Sequence, residues 1–138
     1  MQPLLDAGIN RRSIDVYIPE HIYEYRGLCT LTPQPLTHGV PNCGYHITDL
    51  EQSRLFYATD TATLDGIEAK GYDLYMIEAN HVKAELEARR DAKVAAWEYA
   101  YEFTAARNHM SQEQAEAWLY QQMGPNSRYV FLHQHSPK

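Results

Sequence analysis

Cysteine is scarce: the chain has two, Cys29 and Cys43, and no CxxC spacing. With no apolar leader at the N-terminus, the sequence reads as cytoplasmic with reduced thiols, and both cysteines as small buried hydrophobes. No apolar run approaches the ~20 residues that a membrane span requires, so no membrane role is expected. Positive charge is also short. Twelve Lys and Arg against 18 Asp and Glu give a net charge of −6. That argues against a surface that coats nucleic acid, which needs clustered cations. A small cleft that handles a phosphodiester is not excluded. Neither HExxH nor a His-x-His with an Asp-His extension occurs, so no compact zinc motif can be read directly.

What remains is globular. Hydrophobic residues make up 44% of the 138 and charged residues 22%, enough for one domain, residues 1–138, with a modest core. Eleven tyrosines bring apolar area with a polar tip, suited to half-buried strands and interfaces. Ile14, Val16 and Ile18 alternate with polar or amphipathic residues, as in a half-buried strand that Pro19 stops. Residues 30–41, rich in Pro and Thr, predict an extended segment running into a loop. Residues 44–48 and 54–59 are β-prone and flank a polar connection, which predicts a hairpin. Residues 73–79 fit a short buried strand. Over residues 82–107 the period becomes helical, with Val82, Leu86, Val94, Trp97 and Tyr101 near one face. Ser111 with Gln114 three residues on forms a capping box. Ala115, Trp118 and Leu119 stripe the helix that follows, Gly124-Pro125 ends it, and residues 129–133 make a last strand. The fold class is therefore α/β or α+β: a mixed sheet covered on one face by two or more helices. Its other face would need a further half-domain or a partner.

Seven histidines are spread along the chain: His21, His38, His46, His81, His109, His133 and His135. Read alone, each is more ordinary than ligating. Three potential ligands nevertheless follow predicted strands: His38, Asp60 and His133. Strand ends can converge on one rim of a sheet, where α/β proteins place their sites. Blander readings stand beside this one. Asp60 suits a turn with Thr59 and Thr61. His109 can merely precede the cap at Ser111, and Glu78 with His81 can form a surface pair. His135 suits a solvated terminus. Trp97, Tyr101 and Trp118 fall at helical spacing, which suits helix packing better than base stacking.

Five segments resemble the metallo-β-lactamase-fold hydrolases in order and rough spacing. Thr37-His38-Gly39, followed by Cys43-Gly44-Tyr45-His46-Ile47, resembles their middle-histidine segment. Phe56-Tyr57-Ala58-Thr59-Asp60-Thr61 looks like the strand ending in the metal-bridging aspartate, and residues 73–81 like the strand after it. His109-Met110-Ser111 resembles the His-x-Ser that opens a late helix, and the strand before His133 the one bearing the final ligand. The branch most resembled is the ribonuclease Z-like, phage-encoded group. The family's upstream His-x-His-x-Asp-His motif has no counterpart. Leu4 to Ile9 and Ile14 to Tyr17 resemble the strands that flank it, as though the segment between had been excised.

The resemblance implies zinc chemistry at an incomplete site. His38 and His133 would each serve one metal, Asp60 would bridge both, and His109 would handle a proton. A catalytic zinc takes three protein ligands plus an open position, so this set falls short of two metals. The expectation is a truncated metal-dependent hydrolase of the phosphodiesterase or nuclease type, inactive as an isolated chain, with a nucleic acid or nucleotide as substrate. Its partner would be a complementing N-terminal half or a second copy. The alternative is a non-catalytic binding or assembly domain derived from the same fold.

Overall fold

The computed structural model describes residues 6–134. Leu4 and His135, named above, lie outside them. Six strands form one mixed sheet in sequential order: β1 (Tyr23–Tyr25), β2 (Cys29–Leu36), β3 (Asn42–Asp49), β4 (Arg54–Ala58), β5 (Leu74–Glu78) and β6 (Arg128–Leu132). The first four pair antiparallel. β4 and β5, then β5 and β6, pair parallel. The expected hairpin is β3–β4, with Tyr45 opposite Tyr57. Gly44 allows its close approach: a Cβ there would lie 2.5 Å from the Tyr57 carbonyl oxygen. Pro33 and Pro35 sit in β2 beyond the reach of β1, whose pairing stops at Leu31, so their missing N–H groups break no ladder.

Parallel pairing demands long crossovers. The β5–β6 crossover carries three helices: α1 (Lys83–Ala95), α2 (Glu102–Asn108) and α3 (Gln112–Gln122). The β4–β5 crossover has no helix. It is anchored by Leu64 and Ala69, each 1% exposed, and by the Tyr75 hydroxyl, which donates to the Ala69 carbonyl at 2.6 Å. These pieces cover the face bearing Phe56, Ala58, Tyr75 and Ile77, all fully buried against Trp118, Leu119, Ala115 and Met110. The capping box forms as expected: Ser111 Oγ accepts from Gln114 N–H, and Gln114 Oε1 accepts from Ser111 N–H. The architecture is the mixed sheet with helices on one face that the sequence implied.

Two expectations need correction. Residues 14–18 form no strand, and Val16 and Ile18 are exposed. Tyrosines pin the segment in place of ladder bonds: Ile18 N–H donates to the Tyr23 hydroxyl at 2.6 Å, and the Tyr17 ring meets Tyr23 and Tyr45. Residues 82–107 form two helices, not one. At the end of α1, Trp97 N–H donates to Val94 and Glu98 N–H to Lys93, with Trp97 at φ 57°. That is a Schellman stop with tryptophan where glycine is usual. It leaves Trp97 97% exposed, and Val94 and Tyr101 exposed as well, so only Leu86 of α1 is buried. The two cysteines are half-buried and unpaired. No helix among the described residues is long and apolar enough to cross a membrane.

Candidate metal centre

Strand direction builds the site. β2, β4, β5 and β6 all run the same way, so their carboxyl ends share one rim. His38 follows β2, Asp60 follows β4, Glu78 ends β5 and His133 follows β6. His109 enters from the side, as the C-cap of α2, two residues before the Ser111 cap of α3. A bridge between His81 and Ser111 fastens that turn to the rim.

Ligand atoms of Asp60, His109 and His133 lie within 4.8 Å of one another. His133 Nδ1 is 3.2 Å from Asp60 Oδ1, and His109 Nδ1 is 4.0 Å from the same oxygen. Asp60 and His133 both have left-handed backbone, at φ 54° and 53°. Such conformations cost energy in non-glycine residues and gather at functional sites. Here they are enforced. Asn42 Nδ2 donates to the Thr59 and Asp60 carbonyls at 2.8 and 2.9 Å, and Asn80 Nδ2 to the His133 carbonyl at 3.0 Å.

Beneath the trio lies Glu78, fully buried. One oxygen accepts from Thr61 N–H at 2.7 Å; the other is 2.6 Å from His109 Nδ1 and 3.2 Å from His133 Nδ1. Burial pushes its carboxyl up to about 7, against the opposing effects of the Thr61 N–H and the His133 charge. Burial, and then the neighbouring His38 charge, push His109 down from its ordinary value. The surface pairing of Glu78 with His81 is thus corrected. Glu78 turns inward to His109, and His81 is itself buried, with Nδ1 3.4 Å from Asn80 Oδ1. A charged residue at a strand end gives no sign of which way it faces.

His38 stands beside the trio, its ring centroid 5.3 Å from that of His109. Its Nδ1 donates to the Asn108 carbonyl at 3.0 Å, which fixes the tautomer and leaves Nε2 as the available donor atom. Metal-binding histidines are commonly oriented in this way.

The fold has counterparts among solved structures. The metallo-β-lactamase fold protein YhfI from Bacillus subtilis superposes with a TM-score of 0.60 at 15% identity, over 86% of this chain and 41% of that one. The chain has a partial metallo-β-lactamase fold. The short form of human tRNase Z, ELAC1, matches with a TM-score of 0.54 at 13% identity, over 82% of this chain and 39% of that one. The metallo-β-lactamase-fold portion seen here thus spans about two fifths of the length of each. No family model matches the sequence, and no curated protein does.

Proposed function

We propose that this chain contributes one side of a metal-dependent hydrolase centre of the phosphodiesterase or nuclease type, and does not complete that centre alone. The observation that carries the reading is the gathering of Asp60, His109 and His133 on one rim above a buried Glu78 that grips His109. The fold shared with human tRNase Z supports a nucleic acid or nucleotide as substrate.

Asp60 and His133 suit one edge of a single metal site, and with His38 the set is too small for two metals. Metal–ligand bonds of about 2.0–2.2 Å put tetrahedral donors roughly 3.4 Å apart. The 3.2 Å between His133 Nδ1 and Asp60 Oδ1 matches one such edge. His38 Nε2 is the third donor on this reading, zinc the metal, and Asp60 the residue able to bridge to a second metal held by ligands from elsewhere. When bound, the metal lowers the pKa of a water and polarises the electrophile. His109 is reserved for the proton. Glu78 accepts its Nδ1–H and fixes the ring, so Nε2 is the atom that delivers a proton to, or takes one from, the reacting oxygen.

A zinc titration by calorimetry tests this. About one equivalent per chain, lost in Asp60→Asn and in His133→Ala but kept in His109→Gln, fits the reading; loss in His109→Gln makes His109 a ligand and overturns it.

One observation favours a second reading, an assembly domain. The sheet face away from the helices carries Leu31, Ile47, Leu55 and Leu74 in one row, and Pro33, Tyr45, Tyr57, Met76 and Val130 in the next. Val130 is 46% exposed. Such a face invites a complementing half or a second copy. Sedimentation of the metal-free chain separates the cases: a stable dimer favours the second copy, a monomer the complementing half.

A further inference from the structure

Beside the metal centre a groove of about 570 Å³ opens to solvent between the loop after β2 and helix α2. His38 is common to both: it lines the groove, and its ring lies next to His109. The rest of the lining is unlike the acidic average of the chain. Arg107 supplies a cation with no carboxylate within ion-pair distance among the described residues, and Thr104 and Asn108 add polar side chains. Phe103 adds a 56% exposed aromatic ring, with the Arg90 guanidinium 5.7 Å from its centroid. Of the aromatics expected to pack at helical spacing, Trp118 does so in the core, whereas Trp97 and Tyr101 are exposed.

We propose that this groove binds one nucleotide unit of a single-stranded nucleic acid, adjacent to the bond presented at the metal centre. Arg107 takes the phosphate, since a guanidinium offers paired donors to its oxygens. Thr104 and Asn108 add hydrogen bonds, and Phe103 stacks on the base without sequence preference. A helix C-terminus by itself disfavours an anion. Here the last carbonyl of α2, that of Asn108, is already occupied by His38 Nδ1–H, which removes part of that objection. The site names the substrate class for the hydrolase reading and rests on that reading only for the word adjacent.

The test uses the metal-free full chain titrated with adenosine 5′-monophosphate and, separately, inorganic phosphate, followed by amide chemical shifts and calorimetry. Both ligands are expected to shift Thr104, Arg107 and Asn108. Arg107→Ala should weaken both by about tenfold or more, as loss of a charged hydrogen-bond donor does, and Arg107→Lys should recover part. Phe103→Ala should weaken the nucleotide several-fold and leave phosphate binding unchanged. Absence of nucleotide binding, equal affinity of Arg107→Ala and the unmodified chain, or shifts confined to the open sheet face overturns the proposal. Zinc binding by Arg107→Ala should equal that of the unmodified chain. A chain that takes up nucleotide but no zinc therefore sinks the metal centre and spares the groove; the reverse result sinks only the groove.

Discussion

The two faces of the sheet are made by the same strands and differ in almost everything else. On β4, Phe56 and Ala58 are fully buried under helices, while Leu55 and Tyr57, which alternate with them, are half-covered. On β5, Tyr75 and Ile77 are buried, while Leu74 and Met76 are not. One face is a finished core with its polar groups paired: the Trp118 indole donates to the Ile67 carbonyl, and the Tyr75 hydroxyl is bonded to Ala69 and Gln122. The other is an apolar surface, over part of which, among the described residues, the segment 14–19 lies. Stability belongs to the first face. The candidate metal centre, Asp60, His109 and His133, sits at the rim where both end.

That contrast is broken most directly by truncation on each side of one strand. Phe56→Ala should cost about 3–5 kcal/mol in urea unfolding, and Leu55→Ala about 1 kcal/mol or less. Equal costs would mean that the open face is covered in solution.

The next effect is pH-dependent and sharpens the view of the rim. In metal-free protein, Glu78 binds its proton more tightly folded than unfolded, being pushed up from 4.5 to about 7. Its contribution therefore favours folding most below pH 4.5, declines as pH rises to about 7, and is flat above that. Glu78→Gln should remove that decline, by at most about 3 kcal/mol. A pH-stability difference between the two proteins that grew in the opposite direction would contradict a buried, raised carboxyl.

Smaller again is His109→Ala. At pH 8 it strands the Glu78 carboxylate with fewer partners, at a cost of about 2 kcal/mol that shrinks at pH 5, where Glu78 is protonated. Smallest is Asn42→Ala. Losing the bonds to the Thr59 and Asp60 carbonyls should cost about 1 kcal/mol and relax the left-handed Asp60, read as weaker zinc uptake with little change in thermal midpoint.

Much of this was legible in the sequence. Two β-prone stretches around a polar connection locate the hairpin, a short apolar run locates β5, and Ser111 with Gln114 announces the α3 cap in full. Asp60 and His133 stand out because they follow strands, and the structure gathers them. Other features left no readable mark. The break after α1 was hidden because its left-handed position is filled by Trp97, where glycine would have signalled a stop. The alternation at 14–18 was misleading because apolar periodicity does not require a ladder partner. Glu78 was passed over because burial of a strand-end carboxylate depends on the Thr61 N–H and His109 ring that fold over it, both remote in sequence. Asn42 and Asn80 act through remote carbonyls, which no local pattern encodes.

The central claim is an incomplete centre, and metal stoichiometry tests it most directly. Elemental mass spectrometry on purified chain of defined oligomeric state should give no more than about one zinc per chain, reduced by Asp60→Asn. Two zinc ions per chain, tightly held by the chain alone, would contradict the account.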